Sequence, residues 1–158
     1  MNNTSLTHQD FENNSLFIEM TVNEFYINYT ISLYKTFNGD LVLPVILGAV
    51  AHHTISNIAK ICDYDKFKVR EYMKEKNQSL LLPCNAFSIS EYTGIPRETV
   101  RRKIAKLIKL GWLWKNEKSE VFLDPSIQGV FNELSFDFAR NVVEVAGIVM
   151  KRLAEPGK

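Results

Sequence analysis

The sequence predicts a mainly α fold: a helix-turn-helix and a two-stranded hairpin, with further helices before and after. Three observations carry this. Ser88 to Leu123 reads as two helices about a glycine turn, then two short apolar strands about a polar tip. Apolar residues recur at helical spacing from Met20 to Phe37 and again from Ile127 to Leu153. Between them, Leu41 to Ala51 is apolar nearly all round, as a core helix is.

Taken in order, residues 1–19 are expected to fray, since Met1 to Ser15 is polar and rich in Asn. Val22, Phe25, Tyr26, Tyr29, Leu33, Tyr34 and Phe37 then form a helical stripe ending at the turn signal Asn38-Gly39. Asp40 is the expected N-cap of a helix from Leu41 to Lys60, with Pro44 near its first turn, where no intrahelical donor is needed. His52 and His53 follow each other, so on a helix they diverge by about 100° and make a poor metal pair. Residues 61–84 form a charged connector, and Cys62 to Ser79 within it reads equally as helix or loop.

The next stretch is more specific. Ser88 is the expected N-cap of a short helix, Ile89 to Thr93, and Gly94 supplies a turn that needs positive φ. Pro96 opens a second helix running to Leu110, with Gly111 suited to the C′ position. In that helix Val100, Ile104 and Leu107 share one face, while Glu98, Arg102, Lys106 and Lys109 lie opposite. Trp112 to Lys115 and Glu120 to Leu123 flank Asn116-Glu117-Lys118-Ser119, a hairpin signal, and at least one Trp is expected in the core. Asp124-Pro125-Ser126 starts a last helix over 126–153, whose stripe Val130, Phe131, Leu134, Phe138, Val142, Val145, Val149 and Leu153 needs a partner. Residues 154–158 form a tail. The expected organisation is thus one domain over 20–153, with its terminal helices forming a dimer interface.

Ile89 to Leu113 resembles the recognition motif of winged helix-turn-helix transcription regulators of the catabolite activator family, whose helices often read R-E-T-V-x-R. Here the match is Arg97, Glu98, Thr99, Val100, Arg101 and Arg102. The resemblance implies DNA base readout by Arg97, Glu98 and Arg102. The chemistry suits this, because a guanidinium fork fits guanine O6 and N7 and a carboxylate accepts from the cytosine amino group. The resemblance covers about a sixth of the chain, and the β-rich cyclic-nucleotide domain of that family has no counterpart before Ile89. Helices on both sides of the wing are similar in layout to multiple-antibiotic-resistance-type regulators, which dimerise through terminal helices.

Charge distribution agrees. The 158-residue chain has a formal net charge of only +1, yet Pro96 to Lys109 holds six cations against Glu98 alone, and Met1 to Asp40 holds five carboxylates against Lys35. Thr99, Arg101, Lys106 and Lys109 flank the readout row and are the expected phosphate contacts, with Lys115 and Lys118 of the wing beside them. Glu117 and Glu120 offset the wing's two lysines.

Other classes lack support in the residues. There is no HExxH, GxSxG or P-loop, the glycines are dispersed, and no Cys/His set has zinc spacing, so neither an enzyme nor a metal or other cofactor is expected. Lone Cys62 and Cys84 suit a reducing cytoplasm. The first ten residues do not read as a signal peptide, and Leu41 to Ala51 is shorter than the roughly 20 residues a membrane span takes, so no membrane partner is expected. The expected partners are double-stranded DNA and a second copy, and no residue cluster marks a small-molecule effector. Two rival readings stand: a winged helix that binds another protein, and a replication or plasmid-partition protein that binds DNA without regulating transcription.

Overall fold

The computed structural model describes residues 6–74, 81–127 and 129–154. Among them the chain is mainly helical, with six α-helices, one 3-10 turn and one two-stranded antiparallel sheet. Where the sequence suggests one domain, the chain divides into two compact units, Phe37–Phe131 and Met1–Thr36 with Asn132–Lys158. The division follows from the two terminal helices packing on each other.

The central unit is built on α2 (Val42–Ile61), which buries Leu43, Ile46, Leu47, Ala49, Val50, Thr54 and Ile58. By length and composition this helix is also long and apolar enough to cross a bilayer, although the apolar run at its start is not. It starts within a residue of the expected place, but Asp40 does not cap it. Leu41 holds the N-cap position without a side-chain bond, and the Asp40 carboxylate is turned to Lys103 and Lys106 instead. Pro44 falls in the first turn.

The segment that read as helix or loop contains α3 (Lys66–Lys74), which buries Val69 and Met73. Asp65 caps it, its Oδ1 accepting from the amides of Phe67 and Lys68 at 2.9 and 3.2 Å. Residues 75–79 of that expectation lie outside the described residues.

Helices α4 (Ala86–Thr93) and α5 (Arg97–Lys109) pack on α2 and on each other. The hairpin β1 (Leu113–Lys115) and β2 (Val121–Leu123) follows, in the register Leu113–Leu123, Trp114–Phe122, Lys115–Val121. Its apolar positions close the core: Leu113, Val121 and Phe122 are buried, with β1 packed on α5 and β2 on α2. Cys84 bridges the outer edge of β2, exchanging backbone hydrogen bonds with Val121 at 2.7 and 3.4 Å. Neither Trp is fully buried, contrary to expectation; the buried aromatic rings of this unit are Phe37 and Phe122, and Trp114 stacks on Phe122 at 4.5 Å. Trp112 instead sits edge-on to Phe37 and Phe131, which stack on each other at 5.5 Å, so the two ends of this unit lie side by side.

The second unit is a pair of long helices. Helix α1 (His8–Thr36) starts twelve residues before the expected Met20. The cause is local: Thr7 and Asp10 form reciprocal backbone-to-side-chain bonds, a cap of the kind that starts a helix in a polar sequence. A kink at Asn14 (φ −127°, ψ 16°) follows. Helix α6 (Asn132–Ala154) starts later than expected, because Pro125–Ile127 is a 3-10 turn held by Asp124 Oδ1 to the Ser126 amide at 2.8 Å. Val130 and Phe131 therefore precede it. The pair is antiparallel: Arg152 reaches Asn14 at 3.3 Å, while Phe138 lies 4.4 Å from Tyr29 and 5.7 Å from Phe25 between ring centroids. Of the described residues on α1 and α6, Ile18 alone is buried.

Candidate nucleic-acid interface

The geometry of α4, α5 and the hairpin is set by their ends. Helix α4 starts three residues before the expected Ile89, because the cap is Asn85 and not Ser88. Asn85 Oδ1 accepts from the amides of Phe87 and Ser88 at 2.9 and 3.0 Å, and Ser88 Oγ accepts from the Asn85 amide at 3.0 Å. Ser88 is therefore the reciprocal partner in a capping box. Gly94 ends the helix at φ +71°. Ser90 Oγ donates to the Ile95 carbonyl at 2.7 Å and fixes the turn, and Pro96 then holds the N-cap of α5. At the far end Gly111 (φ +72°) donates to Ile108 and Trp112 donates to Leu107, closing a Schellman motif that aims the chain into β1.

With Val100, Ile104 and Leu107 buried, the opposite side of α5 is left in solvent. Arg97, Glu98, Arg101 and Arg102 are all exposed there. They line a groove of about 750 Å³ together with Phe87 at the start of α4 and Lys115 and Lys118 of the hairpin. The three residues expected to read bases thus share one concavity with three of the six expected phosphate contacts. Five of its cations face a single carboxylate. Thr99, partly buried, and Lys106 and Lys109, both exposed, do not line it.

Within the groove the arginines are held differently. The Arg97 guanidinium carbon lies 5.9 Å from the Phe87 ring centroid, a cation–π contact that orients the fork. Arg101 pairs with Glu98 at 3.1 Å. Arg102 is exposed and has no ion-pair partner among the described residues. Behind the groove, Asp40 accepts from Lys103 Nζ at 2.5 Å and lies 3.5 Å from Lys106 Nζ. Burial pushes the Asp40 carboxyl up, but the hydrogen bond and charge of Lys103, followed by those of Lys106, outweigh it and hold the group below the usual carboxylate range. Those two lysines are therefore partly neutralised within the fold.

Phe87 is not singled out by the sequence, Asp40 is expected there only as a helix cap, and Asn85 only as favouring a helix start nearby. The Asn85–Ser88 spacing is a readable capping signal, whereas the Phe87–Arg97 and Asp40–Lys103 contacts join separate elements and leave no local pattern. The histidines play no part in the groove; His52 is exposed, and His53 Nε2 lies 3.1 Å from the Pro83 carbonyl. Among the described residues, no three His, Cys, Asp or Glu side chains converge as metal ligands. No protein-family model, curated protein or solved structure matches this chain.

Proposed function

We propose that this chain is a sequence-specific DNA-binding transcription regulator that acts as a homodimer, with α4 and α5 as a helix-turn-helix and the hairpin as its wing. The observation that carries this is the groove in which Arg97, Arg101, Arg102, Lys115 and Lys118 face outward beside Glu98. An exposed cationic helix face next to a hairpin suits insertion in the major groove, with the wing along the backbone. Arg97, Glu98 and Arg102 read base edges. Arg101, Lys115 and Lys118 lie beside them and meet phosphates, with Thr99, Lys106 and Lys109 at the margin. Glu98 accepts from cytosine only once Arg101 releases it, so base readout exchanges one hydrogen bond for another. Two copies are needed because one recognition helix gives little affinity, whereas two read half-sites about 34 Å apart.

Selection of bound sequences from a random duplex pool tests this. Enrichment of a palindrome, with Arg102→Ala costing about 1–3 kcal/mol on it and relaxing one position, is the expected result. A pool that shows no enrichment sinks the proposal and turns attention to an acidic protein partner for the same groove. Lys118→Ala should weaken all duplexes alike and lower the salt slope by about one, and Lys106→Ala should lower it less, since Asp40 already holds that charge.

A further inference from the structure

Helix α6 carries two apolar faces. Part of the stripe expected to seek a partner lies against α1, since Phe138 lies on Phe25 and Tyr29, and Val145 lines a cleft against α1. On the opposite side Phe136, Ala139, Val143, Ala146, Met150 and Leu153 recur at alternating spacings of three and four. This is an unbroken coiled-coil seam. It is open at Phe136 (62% exposed) and Val143 (72% exposed) and half-buried at Met150 and Leu153.

We infer that this seam docks on the same seam of a second copy, antiparallel, about a two-fold axis crossing α6 between Glu144 and Val145. The inference rests on the two-copy reading above and names the surface that serves it. Self-pairing about that axis brings Val143 against the partner's Ala146, Met150 against the partner's Ala139, and Phe136 against the partner's Leu153. Bulky residues meet small ones at the four inner pairs, which lets the helix axes approach closely. The charges select the same direction. Glu133, Asp137 and Glu144 lie in the first two-thirds of α6, where Arg140 is already paired with Asp137, and Lys151 lies in its last turn, where Arg152 is turned to Asn14 and Phe17 of α1. Antiparallel pairing sets acidic against basic; parallel pairing sets like against like. An isologous contact of this kind closes at two copies. Helix α1 also exposes apolar residues (Leu16, Met20, Ile27, Ile31 and Tyr34), but Asn23 interrupts their row.

Sedimentation equilibrium of the full chain tests the seam. The expected mass is twice 18.2 kDa, falling to 18.2 kDa in the Phe136→Glu, Val143→Glu double variant with its helical circular dichroism retained. The Leu16→Glu, Ile27→Glu variant should keep the doubled mass. Val143→Cys chains mixed with Ala146→Cys chains should form an inter-chain disulfide more readily than either does with itself. A monomeric parent chain, a dimer that survives the α6 pair, a dimer lost with the α1 pair, or Val143→Cys chains linking best to themselves overturns the assignment. A dimer that behaves as expected but enriches no DNA supports the seam and sinks the DNA reading alone.

Discussion

Asp40 joins the turn before α2 to helix α5 through two lysines, and its side chain is only 15% exposed. Charge-assisted hydrogen bonds of this kind contribute about 1.5–3 kcal/mol, so Asp40→Asn should lower stability by that order in denaturant melts. The pH dependence has a definite sign. A carboxyl held below its unfolded value contributes stability that is full above the ordinary carboxylate range and is lost as pH falls through the depressed folded value. Acid titration of the parent chain should therefore show a loss of stability at low pH that Asp40→Asn lacks. Cys84 shows the opposite displacement: burial pushes its thiol up to about 12, and its Sγ donates to the Val121 carbonyl at 3.3 Å. In native protein at neutral pH it should resist alkylation by iodoacetamide and react once the chain is unfolded. Gly94 has open space around a would-be Cβ, so Gly94→Ala should cost only the left-handed conformation, about 1–2 kcal/mol.

Elements differ in how far the residues alone reveal them. Helix α5 was legible because its burial and charge follow the same 3.6-residue period, and Val100, Ile104 and Leu107 are buried as that period requires. The hairpin was legible because two apolar pairs flank a polar tip of four residues, Asn116 to Ser119. Helix starts were misread wherever a side-chain cap competes with apolar patterning. Thr7 and Asp10 start α1 within a polar stretch, and Asn85 starts α4 three residues before the apolar signal. Removing the latter cap with Asn85→Ala should cost about 0.5–2 kcal/mol and fray the helix that carries Phe87, to be read from hydrogen exchange at Phe87 and Ser88. Periodicity marks an apolar stripe on α6 but does not say what covers it: Phe138 lies on Phe25 and Tyr29 of α1, while Val142 stays 41% exposed. Long-range ion pairs such as Asp40–Lys103 have no sequence signature, since nothing in the spacing of two residues 63 apart brings them together.

At the scale of the whole molecule the two units carry unequal cores. The central unit buries most of the apolar side chains, whereas α1 and α6 bury Ile18 alone among their described residues and expose many large apolar ones. Two helices that bury a single side chain gain little from burial, and most helical stability in proteins comes from packing an apolar face. If copies associate as proposed above, mass action makes the melting temperature of the terminal helices rise with chain concentration, while the central unit's does not. Scanning calorimetry over a range of concentrations checks this, and a single concentration-independent transition would count against it.

The stacking of Phe37 on Phe131 beside Trp112 has a consequence for how this chain can be cut and joined. A segment whose two ends meet at one aromatic clasp behaves as a cassette. A few glycines bridging Phe37 to Phe131 would circularise it, new ends could be opened in the polar tip at Glu117-Lys118, and the same interval could be spliced between the helices of an unrelated hairpin without stretching either host or guest.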